Sequence, residues 1–226
     1  TELIKHDIID MKSQHRDLFL LFLCHLSYLS PTEIEQTCYS IPHFKSYVRI
    51  STKQSLGMIY EFEDLAVASY RGTTSPQDWW KSLNFKTVDY NGIRMHKGFH
   101  GLASDLRESG MVACLRGIRS RYNKLIYTGH SLGASIASVM TTDVAPDEMV
   151  SFGSPRITTS AYDNNINHIR YVTKYDWVRF LPPRLPYMYK HTGEQILLEC
   201  DFPQFDIFKS HRIDEYSKAL LKYNNM

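Results

Sequence analysis

The sequence predicts an α/β fold, a mostly parallel central sheet with helices on both faces. Two observations carry that expectation. Short apolar runs of β type alternate with amphipathic helical stripes through the second half of the chain. The chain is also 226 residues long, 43% hydrophobic and 22% charged, ordinary globular usage that excludes a disordered or fibrous protein and suffices for a core without disulfide or metal staples. No repeat, low-complexity stretch or linker interrupts it, so residues 1–226 read as a single domain.

From Asp10 to Leu29 the residues Met11, Leu18, Leu21, Phe22, His25, Leu26 and Leu29 recur at three- and four-residue steps, an amphipathic helix. Leu56 to Phe62 and Leu65 to Tyr70, separated by Glu63 and Asp64, read as a hairpin that ends in Arg71-Gly72-Thr73. Between Phe99 and Tyr122 a stripe of Leu102, Leu106, Val112, Leu115 and Ile118 predicts one helix despite Gly110 and Gly117. A strand over Lys124 to Thr128, a buried helix over Ala134 to Met140 and strands over Glu148 to Phe152, His168 to Thr173 and Gln195 to Glu199 follow. A helix over Ile213 to Tyr223 closes the chain.

Charge separates partner classes. Lys and Arg number 26 against 24 Asp and Glu, a net of +2, with no block of five like charges, so no nucleic-acid partner is expected. The densest basic stretch, Arg116, Arg119, Arg121 and Lys124, reads as a solvated face rather than a phosphate or anionic-lipid patch. Cys24, Cys38, Cys114 and Cys200 form no C-x-x-C pair; they read as buried thiols, with a Cys24 to Cys38 bridge left open. The longest apolar run, Leu18 to Cys24, has seven residues against the roughly 20 that cross a bilayer, so no transmembrane segment is expected. Because the chain begins at Thr1 rather than Met, it reads as processed or trimmed, which leaves its compartment open.

The chemistry concentrates at Gly129-His130-Ser131-Leu132-Gly133. This G-x-S-x-G pentapeptide, between a predicted strand and a predicted helix, fits a sharp turn that lifts a serine hydroxyl out of a sheet. A glycine turn with a capping serine is the plain alternative. A serine attacks only if a base takes its proton and a third group orients that base, and the α/β-hydrolase order is Ser, Asp or Glu, then His. Asp176 stands just past a predicted strand, whereas Asp163, Asp201 and Asp206 suit turns. Two histidines follow, His191 and His211; His211, in a polar segment before the last helix, is favoured as base, and His191 as a turn residue. The amides of Leu132 and of Thr73, at an earlier strand end, are the candidate oxyanion donors.

Between Thr73 and His96, residues 74–95 carry Pro76, Trp79, Trp80, Leu83 and Phe85 on a short stretch of expected helix. Adjacent tryptophans cannot both face one core, so the stretch reads as a lid over an acyl pocket, with transient adsorption to a lipid surface as its consequence. Packing into the core is the rival reading. His96 and His100 are four residues apart like zinc ligands, but Gly98 lies between them and no H-E-x-x-H is present, so no metal site is expected.

In order along the chain, Tyr70-Arg71-Gly72-Thr73, His96-Lys97-Gly98-Phe99, Gly129 to Gly133, Phe152-Gly153-Ser154-Pro155-Arg156, Asp176-Trp177-Val178-Arg179-Phe180-Leu181-Pro182-Pro183 and His211 with Tyr216 resemble six motifs of the class 3, or fungal-type triacylglycerol, lipase family. The resemblance implies an α/β-hydrolase fold and a hydrolase of lipid acyl esters working through an acyl-enzyme without metal or cofactor. It implies Ser131 as nucleophile, Asp176 as acid, His211 as base, and Thr73 with Leu132 as oxyanion hole. Arg156-Ile157-Thr158-Thr159, Trp177 beside the acid and the 18 residues between Gly133 and Phe152 depart from the family pattern and bear on substrate preference. A lidless esterase on soluble or aryl esters (feruloyl-esterase-like), a phospholipase A1, and a silent fold that binds lipid or a protein partner are the alternatives.

Overall fold

A computed structural model of the protein describes residues 13–72, 85–159, 166–202, 206 and 208–225. Its seven-stranded sheet runs in the order β1 (Phe44–Ser51), β2 (Leu56–Phe62), β3 (Leu65–Arg71), β6 (Lys124–His130), β7 (Glu148–Phe152), β8 (Asn167–Thr173), β9 (Glu194–Leu198). The first three strands are antiparallel and every pair from β3 to β9 is parallel. The strands β4 (Thr87–Tyr90) and β5 (Ile93–His96) form a separate hairpin.

Alternation along the central strands divides the core in two. Val67, Ile126, Val150, Phe152 and Tyr171 face α1 (Ser13–Leu26), α2 (Pro31–Tyr39) and α6 (Ile213–Asn224). Ala66, Ala68, Tyr70, Leu125, Tyr127 and Met149 face α3 (Lys97–Glu108), α4 (Met111–Arg119) and α5 (Leu132–Met140). Strands covered on both faces read as nearly continuous apolar runs, which is why β2, β3, β6, β7 and β8 were legible. The fold is the α/β-hydrolase arrangement, helices on both faces of a mostly parallel sheet.

The expected helix from Phe99 to Tyr122 is two. Gly110, at φ 96°, takes the left-handed conformation that ends α3 and restarts the chain as α4, a backbone that glycine enters without penalty. Helix α2 and strand β1 escaped prediction for different reasons. For α2 the signal was present: Pro31 opens the helix, and Ser30 with Glu33 forms a capping box, the Ser30 amide donating to Glu33 Oε2 at 2.9 Å. For β1 it was weak, because an edge strand buries little on either face.

Cys24 and Cys38 are buried free thiols, so the bridge left open by the sequence is not formed; Cys114 and Cys200 are half-buried. Burial pushes the Cys24 thiol up to about 12, which makes it a packing group, with Sγ 3.3 Å from Thr128 Oγ1. Within the basic stretch, Arg119 pairs with Asp147 (2.8 Å), Arg121 with Glu61 (2.7 Å) and Lys124 with Glu148. Among the described residues no helix is long and apolar enough to cross a membrane.

Candidate active site

Strand β6 runs straight into Ser131, the residue ahead of α5, at φ 57° and ψ −122°, a conformation that costs a non-glycine residue energy and persists where its surroundings over-determine it. The neighbouring contacts do so. The Ser131 amide donates to the Phe152 carbonyl at 2.8 Å, and any Cβ on Gly133 would collide with the Tyr70 carbonyl, so only glycine lets α5 start this close to β3. Every residue of α5 is buried, which holds the elbow rigidly.

Three side chains remote in sequence converge there. His211 Nε2 lies 2.6 Å from Ser131 Oγ, and His211 Nδ1 lies 2.7 Å from Asp176 Oδ2. Ser131, His211 and Asp176 are 2%, 7% and 0% exposed, so the line of hydrogen bonds sits in a low-dielectric setting where each is strong. Asp176 follows the carboxyl end of β8, and His211 ends a one-turn 3-10 helix ahead of α6. Asp176 accepts two further bonds, from the Tyr216 hydroxyl (2.6 Å) and the Val178 amide (2.8 Å). Burial would push this carboxyl up; the facing His211 imidazole and the three donors outweigh it and hold it below its ordinary range.

Two residues add support that sequence reasoning did not assign. His130 Nε2–H donates to the His211 carbonyl at 2.8 Å, and the two rings lie 4.9 Å apart. Burial, then the nearby His211 charge, drives His130 down to about 3, so it is a neutral prop. Tyr216 holds the free side of the acid while its oxygen accepts the Thr173 amide at 3.2 Å. No local pattern marks either role. Trp177, a departure from the family pattern, packs edge-on against Phe208 at 5.3 Å and ties the acid loop to the loop of His211.

The competing residues are otherwise engaged. His191 Nε2–H donates to the Arg179 carbonyl at 2.8 Å. Asp206 accepts from the Phe208 amide (2.9 Å) and Arg212 (2.6 Å), a turn role; Asp201 is exposed and Asp163 lies outside the described residues. Leu132 is buried at the first turn of α5, where helix amides lack intrahelical partners. Thr73, Trp79, Trp80 and Leu83 lie outside the described residues. Phe85 is half-buried and non-helical, which corrects the extension of the helical stretch to that residue. The 74–95 span also does not stay one piece to its end. Asn91 and Gly92, at φ 50° and 78°, turn β4 into β5 as a type I′ hairpin, an Asn-Gly signal missed in the sequence. That hairpin is tied down by the His96 amide on the Ile157 carbonyl (2.9 Å) and the Thr159 amide on the Arg94 carbonyl (2.9 Å). His96 caps α3, its Nδ1 accepting the Gly98 and Phe99 amides at 3.1 and 3.3 Å, and among the described residues no cluster of three ligating side chains could hold a metal ion.

Two expected results arise from this geometry. Gly153, at φ 60°, sits where a Cβ would stand 3.0 Å from His211 Cε1 and 3.1 Å from Asp176 Oδ2. Gly153→Ala should therefore cost about 10- to 100-fold in turnover of a chromogenic ester by displacing the imidazole, with the far-UV spectrum unchanged; wild-type turnover would mean that the pocket has slack there. Secondly, burial also drives His168 down to about 3, as it does His130. Both, like His191, which burial also drives down to about 3, stay neutral in the folded chain, yet the unfolded chain protonates them near 6.5, so unfolding takes up three protons at these histidines and stability falls as pH drops from about 6.5 towards 3. Denaturant titrations across that window should show the loss, and His168→Asn should remove about one proton from the slope; an unchanged slope refutes the assignment.

The chain is similar to known proteins in family and in fold. The model of the family "Lipase (class 3)" matches residues 67–186. A secreted mono- and diacylglycerol lipase 1 of Fusarium solani is 27% identical over 169 residues, covering 66% of this chain and 50% of that protein. The chain thus spans about half the length of that curated relative. The native Rhizomucor miehei lipase propeptide complex superposes with a TM-score of 0.69 at 23% identity, over 83% of this chain and 70% of that one. The lipase of Rhizopus microsporus var. chinensis gives a TM-score of 0.69 at 20% identity, over 83% and 75%. At such identities the likeness is one of fold.

Proposed function

We propose that this chain, which belongs to the class 3 lipase family, is a serine hydrolase of the carboxylic esters of lipids. The observation that supports it best is the continuous line from Ser131 Oγ through His211 to Asp176, with links of 2.6 and 2.7 Å. In this reading His211 Nε2 takes the Ser131 proton as the hydroxyl attacks the ester carbonyl, and Asp176 stabilises the imidazolium that forms. The Leu132 amide, with Thr73, receives the developing oxyanion. His211 then returns the proton to the leaving alcohol, and water activated by the same imidazole releases the acid from the acyl-enzyme. Residues 1–226 act as one domain. The span between Gly72 and the hairpin, with Trp79, Trp80 and Leu83, serves as lid, anchored where the Tyr189 hydroxyl donates to the Phe85 carbonyl at 2.6 Å.

Lipid acyl esters are assigned as substrate because the relatives are, by name, lipases. A fluorophosphonate probe should label Ser131 and leave Ser131→Ala unlabelled, and a panel crossing acyl length with head group should favour long acyl chains on emulsions over soluble or aryl esters. Labelling that survives the substitution sinks the nucleophile; a preference for soluble aryl esters sinks the lipid assignment.

A further inference from the structure

We propose that residues 179–190, just beyond Asp176, form a docking surface for an anionic lipid–water interface. Phe180, Leu185, Tyr187 and Met188 are 53%, 73%, 42% and 52% exposed. Single exposed apolar side chains are ordinary on protein surfaces, whereas four within nine residues concentrate apolar exposure in one stretch of loop, as surfaces that meet a partner do. Charge indicates which partner. From Trp177 to Gly193 the chain carries Arg179, Arg184 and Lys190 and no carboxylate, and Arg184 and Lys190 are exposed. Apolar tips interleaved with cations in a stretch of sequence without carboxylates suit an interface whose headgroups are negative: the tips enter to headgroup depth and the cations meet phosphates.

The segment is also held in shape. The Arg156 amide donates to the Leu181 carbonyl at 2.6 Å, and its guanidinium to the carbonyls of Phe180 and of Pro182 (2.9 Å). His191 holds the Arg179 carbonyl at 2.8 Å, and the Lys190 amide donates to the Thr158 carbonyl at 2.7 Å. Arg179 lies over the Phe180 ring at 4.6 Å. Backbone pinned at both ends keeps the tips from folding inwards, so their exposure belongs to the fold. The surface begins three residues from the acid, directly after Val178, whose amide is itself a donor to Asp176; docking there brings the triad to the lipid. This deepens the hydrolase reading by naming where substrate is met and the sign of its charge, and a binding measurement separates the two.

The test uses the Ser131→Ala chain and co-sedimentation with vesicles of phosphatidylcholine alone or mixed equally with phosphatidylglycerol. The chain should partition at least tenfold better onto the anionic vesicles. Leu185→Ser combined with Met188→Ser should lower partition onto both by tenfold or more, and Arg184→Gln should lower it about fivefold on the anionic vesicles only. The same substitutions in the Ser131 chain should leave hydrolysis of a monomeric ester and the unfolding temperature unchanged. Equal partition onto both vesicles, or wild-type partition by the variants, overturns the proposal. So does sedimentation equilibrium showing a dimer that the Leu185/Met188 variant abolishes without any vesicle binding, which would make the patch a contact between copies. Vesicle binding with no ester turnover by the Ser131 chain overturns the hydrolase reading and leaves the docking surface standing.

Discussion

Ser131→Ala is expected to abolish acyl-ester hydrolysis, with a fall in kcat on the order of 10⁶-fold. The size follows from the chemistry: without the hydroxyl no acyl-enzyme forms, and His211 Nε2, 2.6 Å from the vanished oxygen, has nothing to activate but water held in the wrong place. The fold should barely respond. Ser131 is the residue ahead of α5, yet its side chain caps no helix amide, so alanine removes no structural hydrogen bond there, and its Cβ already fits the strained backbone. Parallel measurement of turnover and thermal unfolding checks both halves. Residual activity above about 1% of wild type, in a chain that still unfolds normally, would remove Ser131 from the mechanism.

Asp176→Asn is expected to cost about 10⁴-fold in kcat. Every group facing this side chain is a donor: His211 Nδ1–H at 2.7 Å, the Tyr216 hydroxyl at 2.6 Å and the Val178 amide at 2.8 Å. An ionised carboxylate only accepts and satisfies all three. An amide brings two N–H groups of its own, so one must oppose a donor, and the readiest relief is the other His211 tautomer, with its proton on Nε2 pointing at Ser131 and useless as a base. The pH dependence has a definite sign. The folded carboxyl titrates below its ordinary 3.8, so its pairing stabilises the protein above that value and is lost as pH falls through the lower, folded value. Measured on a monomeric ester near neutral pH, a loss under tenfold would move the orienting role to another group.

How much of this was legible depended on how local the signal was. The nucleophile was visible because a strand-to-helix turn of this sharpness demands small residues on either side of the serine, and Gly129 and Gly133 supply them. The buried strands were visible because both faces are covered. The break at Gly110 was not, because the apolar stripe of α3 continues in register into α4 and periodicity alone does not register a single left-handed residue. Asn91-Gly92, by contrast, carried its hairpin signal openly and was missed inside a span taken as lid. Asp176 came from its place just past a predicted strand and His211 from its polar segment before the last helix, with chain order and family resemblance behind both, since nothing local records that either side chain reaches Ser131.

By itself the sequence determined the alternation of elements, hence the layered α/β architecture, and the place of the elbow, because those follow from periodicity and from a glycine two residues to either side of the serine. Only the tertiary structure decided which carboxylate and which imidazole meet Ser131, that His130 and Tyr216 brace them, and that four apolar side chains beyond the acid stay outside. The reason is distance along the chain: Ser131 and His211 are 80 residues apart and His211 and Asp176 are 35. Contacts of that span are set by how the sheet brings its strand ends together, and local residue preference holds no record of it.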